Sequence, residues 1–272
     1  VILMKLIMRK KKKQTTSCSH HVHARRTHTM TVAILSTVML STGIALPSSL
    51  LSSVDAASST TKTTASKQAV SADTAQRSYN LFLQRLQKPS TLGLARATLI
   101  NRIQQFDTYR ASIAVLQLEN AYNKHASYAD NLIFAESIQN DLMRVYRSDM
   151  TMQQAANKLT RAADRQALQK LADMGYRLGT SEGVFYTVND YPAFSVFFPY
   201  ISPDIKDYIN IMSAEVKAPT SYDAGIVITP AELLRRGLAM ESFLNRYPTS
   251  NRHAAIESDY RLSRWYIFYG SD

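Results

Sequence analysis

Cysteine occurs once in the 272 residues, at Cys18, so the rest of the chain holds neither a disulfide nor a thiol nucleophile. Histidine is nearly as scarce beyond the first 28 residues, where only His125 and His253 occur. No His-Glu-x-x-His pair, no Gly-x-Ser-x-Gly elbow and no glycine-rich phosphate loop is present. These gaps disfavour a zinc hydrolase, a serine hydrolase and a nucleotide-binding site. Glycine and proline are both missing from the 81 residues between Gly93 and Gly175, which leaves that stretch without its strongest helix breakers.

Basic charge is lopsided. The chain carries a net charge of +11, and residues 1–56 hold eight basic side chains against a single acid, Asp55. Beyond them acids and bases are interspersed, and the longest basic run is Arg235-Arg236. A nucleic-acid groove concentrates its positive charge; no nucleic-acid partner is expected here.

The N-terminus explains the imbalance. Met8-Arg9-Lys10-Lys11-Lys12-Lys13 is a basic segment, Val32–Leu46 is an uncharged, largely apolar run, and Pro47 with a serine-rich stretch leads to Val54-Asp55-Ala56-Ala57. Small residues stand at −3 and −1 for a cut between Ala56 and Ala57, the pattern of a secretory signal peptide over 1–56. The alternative is an uncleaved single-pass anchor over 32–54, since that stretch is also long enough to cross a bilayer. Both place the following residues outside the cytoplasmic membrane, and membrane association is expected only through an uncleaved leader. Cys18 with His20, His21, His23 and His28 resembles a soft-metal cluster, but it lies inside this leader and lacks the paired-cysteine spacing of a zinc finger. No metal and no cofactor is expected.

Residues 57–72 form a Ser/Thr/Ala/Lys tract with little to bury, read as a flexible linker. Leu99, Ile103, Phe106, Ile113 and Leu116, then Phe134, Ile138, Leu142 and Val145, recur at helical spacing. Helices are predicted near 73–88, 92–123 (with a break near Asp107), 128–147, 151–159 and 160–177. Ser127 with Asp130, and Thr151 with Gln154, have capping-box spacing. Together 73–178 reads as an antiparallel helical bundle with short loops. Gly175 and Gly179 are read as helix-end glycines.

After Gly179 the texture changes, and 179–272 is expected to pack on the bundle as an aromatic segment plus a helical hairpin. Val184–Val188 and Gly225–Ile228 are strand-like and predicted to pair as a short ribbon. Ser202-Pro203-Asp204 and Thr229-Pro230-Ala231-Glu232 start helices near 203–217 and 230–246, and a last helix covers 251–268. The fold class predicted is therefore mainly α: a helical bundle, a short irregular or two-stranded β insert near 184–228, and a C-terminal helical hairpin.

The segment Ala239–Ala255, with Phe243-Leu244 before Tyr247-Pro248-Thr249-Ser250 and Ala254-Ala255 after, resembles a tetratricopeptide-type helix–turn–helix, in one copy. With the exported leader and the helical N-terminal half, it is similar to uncharacterised secreted helical proteins of Gram-positive bacteria. The resemblance implies a helical hairpin and no activity.

Residues 185–200 hold seven aromatics. One reading is core packing; the other is a ligand surface in which Tyr186, Tyr191 and Tyr200 stack on a sugar or peptide and Asn189 and Asp190 supply polar contacts. Glu182 is the best-placed acid for a glycosidase pair. The function expected is an exported, non-enzymatic helical binding or structural protein of the bacterial cell envelope, whose partner is cell-wall polymer or another surface protein. The alternatives are a cell-wall glycan hydrolase using Glu182 with an Asp, or an anchored accessory or sensor protein.

Overall fold

The computed structural model describes residues 58–272 apart from 149, 224 and 272. The chain divides at Thr60–Thr61, and Thr61–Asp272 forms one compact unit. The expected leader, its cleavage site at Ala56 and Ala57, the anchor span 32–54 and the Cys/His cluster lie outside the described residues. Among the described residues no helix is long and apolar enough to cross a membrane.

The fold is mainly helical with two small antiparallel ribbons and a C-terminal helical hairpin. The helices are α1 (Ser58–Leu86), α2 (Leu92–Arg102), α3 (Thr108–Lys124), α4 (Ala126–Ile133), α5 (Glu136–Val145), α6 (Met152–Lys158), α7 (Ala162–Met174), α8 (Pro203–Lys217), α9 (Pro230–Arg246) and α10 (His253–Tyr269). The tract expected to be a linker is helical from Ser58 onward, as the leading turns of α1. Ala75, Phe82 and Leu86 of α1 are buried, and once that part is held, each further helical residue forms a bond without a new nucleus.

Helix α3 runs through the core. Ala111, Ala114, Val115, Leu118, Ala121 and Tyr122 are buried along it, a 3.6-residue stripe. The break expected near Asp107 is present: α2 gives way to a 3₁₀ turn, Ile103–Gln105, and the Asp107 carboxylate accepts the Arg110 backbone N–H at 2.8 Å.

The helix predicted over 128–147 is two helices, because the chain turns at Phe134-Ala135. Gln139 uses that opening. Its amide donates to the Ile133 carbonyl (2.7 Å) and to the Phe185 carbonyl (2.9 Å), while its oxygen accepts the Phe185 N–H (2.9 Å). Ser127 falls inside α4 rather than capping it; α3 runs almost directly into α4 through His125. Thr151 and Gln154 form the complete reciprocal box expected of them.

The β insert pairs differently from expectation. β2 (Val184–Asn189) pairs with the residues just before it, β1 (Tyr176–Ser181), in register Gly179↔Tyr186 and Thr180↔Phe185. β4 (Gly225–Ile226) pairs with β3 (Ser221–Tyr222). Each strand takes its nearest neighbour, which needs the smallest loop closure. Glu182 and Gly183, at φ 51° and 74°, make the two-residue turn with left-handed backbone that twisted hairpins favour. Gly179 is therefore a strand residue, not a helix end. Its missing side chain makes room for the Tyr186 ring, one carbon of which would lie 2.5 Å from an added Cβ.

Gly175 does end α7, at φ 98°. An added Cβ there would stand 2.3 Å from the Tyr122 hydroxyl oxygen. Tyr122 is itself buried, and the Tyr176 hydroxyl donates to its carbonyl at 2.9 Å. Backbone conformation and space both demand glycine. Gly175→Ala is expected to destabilise the fold by more than about 1 kcal/mol in urea unfolding, whereas Gly183→Ala, whose Cβ meets nothing within 4 Å, is expected to show only the backbone part of that loss.

Candidate functional site

The structure spreads the aromatic segment between core and surface. Tyr191 begins a 3₁₀ stretch, Tyr191–Phe197, in which Tyr191, Phe194 and Phe197 are buried. Phe194 stands edge-on to Tyr122 and Phe197, with ring centroids 6.0 and 5.8 Å apart. Pro192 sets the local backbone, and the 3₁₀ periodicity of three turns every third side chain inward.

The remaining candidates are scattered. Glu182 is exposed at the β1–β2 turn, and its backbone N–H donates to the Tyr222 hydroxyl at 2.8 Å. Tyr186 is half-buried over Gly179; burial, then the nearby Tyr222, raises its pKa. Asn189 donates its side-chain amide to Asn123 at 3.2 Å. Asp190 is half-buried beside Arg96, Tyr122 and Gly175, in a crevice too tight to admit water. Tyr200 is half-buried against the core. Tyr186, mid-ribbon opposite Gly179, and Glu182, in the turn, both lie beside Tyr222, whereas Tyr191 is committed to the interior, so the three tyrosines do not make one stacking face.

Three of the later acids, Asp204, Asp207 and Glu215, are occupied in cross-links. Asp204 accepts from the Ser202 and Ser250 hydroxyls, the latter at 2.6 Å. This corrects the expected role of Ser202, whose side chain meets Asp204 and Ser112 instead of capping α8. Asp207 accepts from the Tyr247 hydroxyl (2.9 Å) and Arg246 (3.0 Å). Glu215 holds Thr220 and Arg236. Arg236 is buried and also meets Glu232, which takes that bond in place of returning to the Thr229 N–H. His125, between the charged Lys124 and the start of α4, is buried with Nε2 2.9 Å from the Leu86 carbonyl oxygen, one of the unpaired carbonyls at the end of α1. Among the described residues, no group of three or more His, Cys, Asp or Glu side chains is placed to hold a metal ion.

The most concentrated polar constellation escaped the sequence reading. Glu119 of α3 is buried, and three other elements converge on it. The Tyr191 hydroxyl donates to Glu119 Oε1 at 2.5 Å, and the Tyr208 hydroxyl of α8 donates to the same oxygen. Arg252, at the turn before α10, donates to Oε2 through Nη2 (2.5 Å) and Nε (3.2 Å). The guanidinium also reaches Asn120 Oδ1 at 3.2 Å and lies 5.3 Å from the centre of the Tyr208 ring.

Burial pushes both tyrosine hydroxyls well up, and the Glu119 charge adds to it. For Arg252, burial alone would lower the pKa, but the Glu119 charge and hydrogen bonds outweigh it and raise it. A signal was available: Glu119 stands within the apolar stripe Val115, Leu118, Tyr122, where a carboxylate needs partners. Chemically, the arrangement is a satisfied cross-brace rather than an acid or base open to a substrate.

A second feature is on the surface. Leu234 and Leu238 of α9, and Trp265, Phe268 and Tyr269 of α10, are exposed, the last three by 53%, 69% and 68%. Trp265 and Tyr269 lie with ring centroids 4.7 Å apart and Phe268 and Tyr269 6.4 Å apart, so the aromatic part of this surface is preformed. Compared with known protein families, curated proteins and solved structures, the chain matches none.

Two outcomes follow from the brace. Arg252→Ala leaves a buried carboxylate with two hydroxyls and no cation, and is expected to cost about 3–5 kcal/mol in denaturant unfolding. Tyr122, Tyr176, Tyr191 and Tyr208 all have raised pKa values. An unfolded tyrosine ionises near pH 10, so the unfolded chain sheds these protons first. Their contribution to stability is intact below about pH 10 and declines above it. Unfolding midpoints should fall through that range, and Tyr191→Phe with Tyr208→Phe should flatten the slope.

Proposed function

We propose that this chain is an exported, non-enzymatic helical binding or structural protein of the bacterial cell envelope. The observation that carries the reading is the exposed apolar cluster on the C-terminal hairpin. Other exposed apolar side chains, such as Leu94, Tyr109 and Met143, lie on separate elements, whereas a tryptophan, a phenylalanine and a tyrosine stand together in solvent within one turn and a half of α10. Clustered aromatics of this kind are the material of interfaces, because they offer a large contact area at little cost in rotamer freedom. The basic, apolar and small-residue order of the leader supports export. The partner is cell-wall polymer or another surface protein, met through α9 and α10.

Incubated with isolated cell envelopes, the full chain is expected to co-sediment with them. Trp265→Ala combined with Phe268→Ala should reduce the retained fraction by roughly tenfold or more, as truncating central aromatic anchors does. Wild-type retention by the double variant would overturn the reading.

A further inference from the structure

The exposed side of α10 has a periodicity of its own. Ala254, Ser258, Arg261, Trp265 and Phe268 are all exposed and recur at steps of 4, 3, 4 and 3. That is the spacing of a coiled-coil seam, two positions per heptad facing one partner. The opposite side of the same helix is already used: Ile256 and Ser263 are buried, and Ile267 and Ser263 lie where a side chain on Gly237 of α9 would be. Helix α10 is thus amphipathic twice over, with one stripe turned to α9 and a second turned to solvent.

The second stripe is graded in size. Its N-terminal half is small (Ala254, Ala255, Ser258) and its C-terminal half is large (Leu262, Trp265, Phe268, Tyr269). A parallel partner would set large against large and small against small. An antiparallel copy of the same helix sets large against small at every level, and a two-fold axis repeats each contact. The charges agree. Glu257 and Arg264 occupy equivalent flanking positions seven residues apart, and in antiparallel pairing such positions face one another, Glu257 of one copy beside Arg264 of the other.

We infer that α10 pairs with α10 of a second copy of this chain, antiparallel, through Ala254, Ser258, Arg261, Trp265 and Phe268. This rests on the binding reading above and names the occupant of that surface. Trp265 of each copy lies on Ala254 of the other, and Leu262 on Ala255. Arg261 lies against Ser258 with its charged end free to reach water, where it already meets Glu257 of its own helix at 2.7 Å. Phe268 and Tyr269 extend past the start of the facing helix to its exposed turn residues Pro248, Thr249 and Asn251. Half to two-thirds of each of six aromatic side chains is still open, which supplies on the order of 600 Å². With the small residues beneath them, the contact is on the order of 800 Å², the size of a weak, reversible association between copies.

The test uses two full-length copies with different affinity tags, produced together, and measures how much of one is retrieved with the other. Wild-type copies are expected to retrieve each other. Trp265→Ala removes the anchor, and Ala254→Trp fills the space that receives it; either change should cut retrieval by roughly tenfold or more. The combined variant A254W/W265A exchanges large for small on both copies and is expected to restore it. All these positions are exposed, and helicity measured by circular dichroism shows that each variant is folded. The proposal falls if wild-type copies do not retrieve each other, if A254W pairs as well as wild type, or if the exchange fails to restore pairing. Envelope retention that depends on Trp265 without self-retrieval would leave the binding reading standing and remove the second copy as its partner.

Discussion

A carboxylate cannot be buried without donors, and the way Glu119 is supplied governs the tertiary arrangement. Its two oxygens take a hydroxyl from the 3₁₀ stretch, a hydroxyl from α8 and a guanidinium from the turn before α10. Each donor lies at least 72 positions along the chain from Glu119, so none of these bonds forms until the C-terminal half has docked on α3. A half-assembled version would leave a charge in the core with incomplete partners, which costs more than an exposed one. The brace therefore favours one docking geometry over near alternatives, whatever its net contribution to stability.

The neighbouring contacts reinforce the same seam. Ser250 and Tyr247, from the same turn as Arg252, reach Asp204 and Asp207 on the first turns of α8. Acids at a helix start are favoured by the helix dipole, and here they also receive side-chain donors from the hairpin. Arg236 does the equivalent work further along, joining α9 to Glu215 near the end of α8 and to the Ala218 carbonyl. The hairpin is thus held by its turn and by α9. Helix α10 needs only one face for packing, and its other face is left with the aromatic seam.

Much of the helical half was legible because its signals are local. The absence of Gly and Pro from 94–174, the Asp107 break, the Thr151–Gln154 box and the Gly175 stop each depend on residues within a few positions of one another. The β pairing was not legible, because VFYTV carries strand character without saying which segment it meets; the nearer segment won. The break at Phe134-Ala135 was hidden as well, since it serves Gln139, whose partner Phe185 lies 46 residues on. His125, between Lys124 and Ala126, carries no local sign of burial, and only the approach of the end of α1 buries it.

Sequence alone determined the helical class, most element boundaries and the hairpin, because chain stiffness, capping and amphipathic period act over one or two turns. The tertiary structure alone decided which aromatics became core, which acids became braces, and which face of α10 stayed open. Those outcomes depend on groups brought together from distant parts of the chain, and a side chain's chemical meaning changes with what is desolvated beside it. Tyr191 and Trp265 are both aromatic residues near turns or helix ends; one gives its hydroxyl to a buried carboxylate and the other faces water.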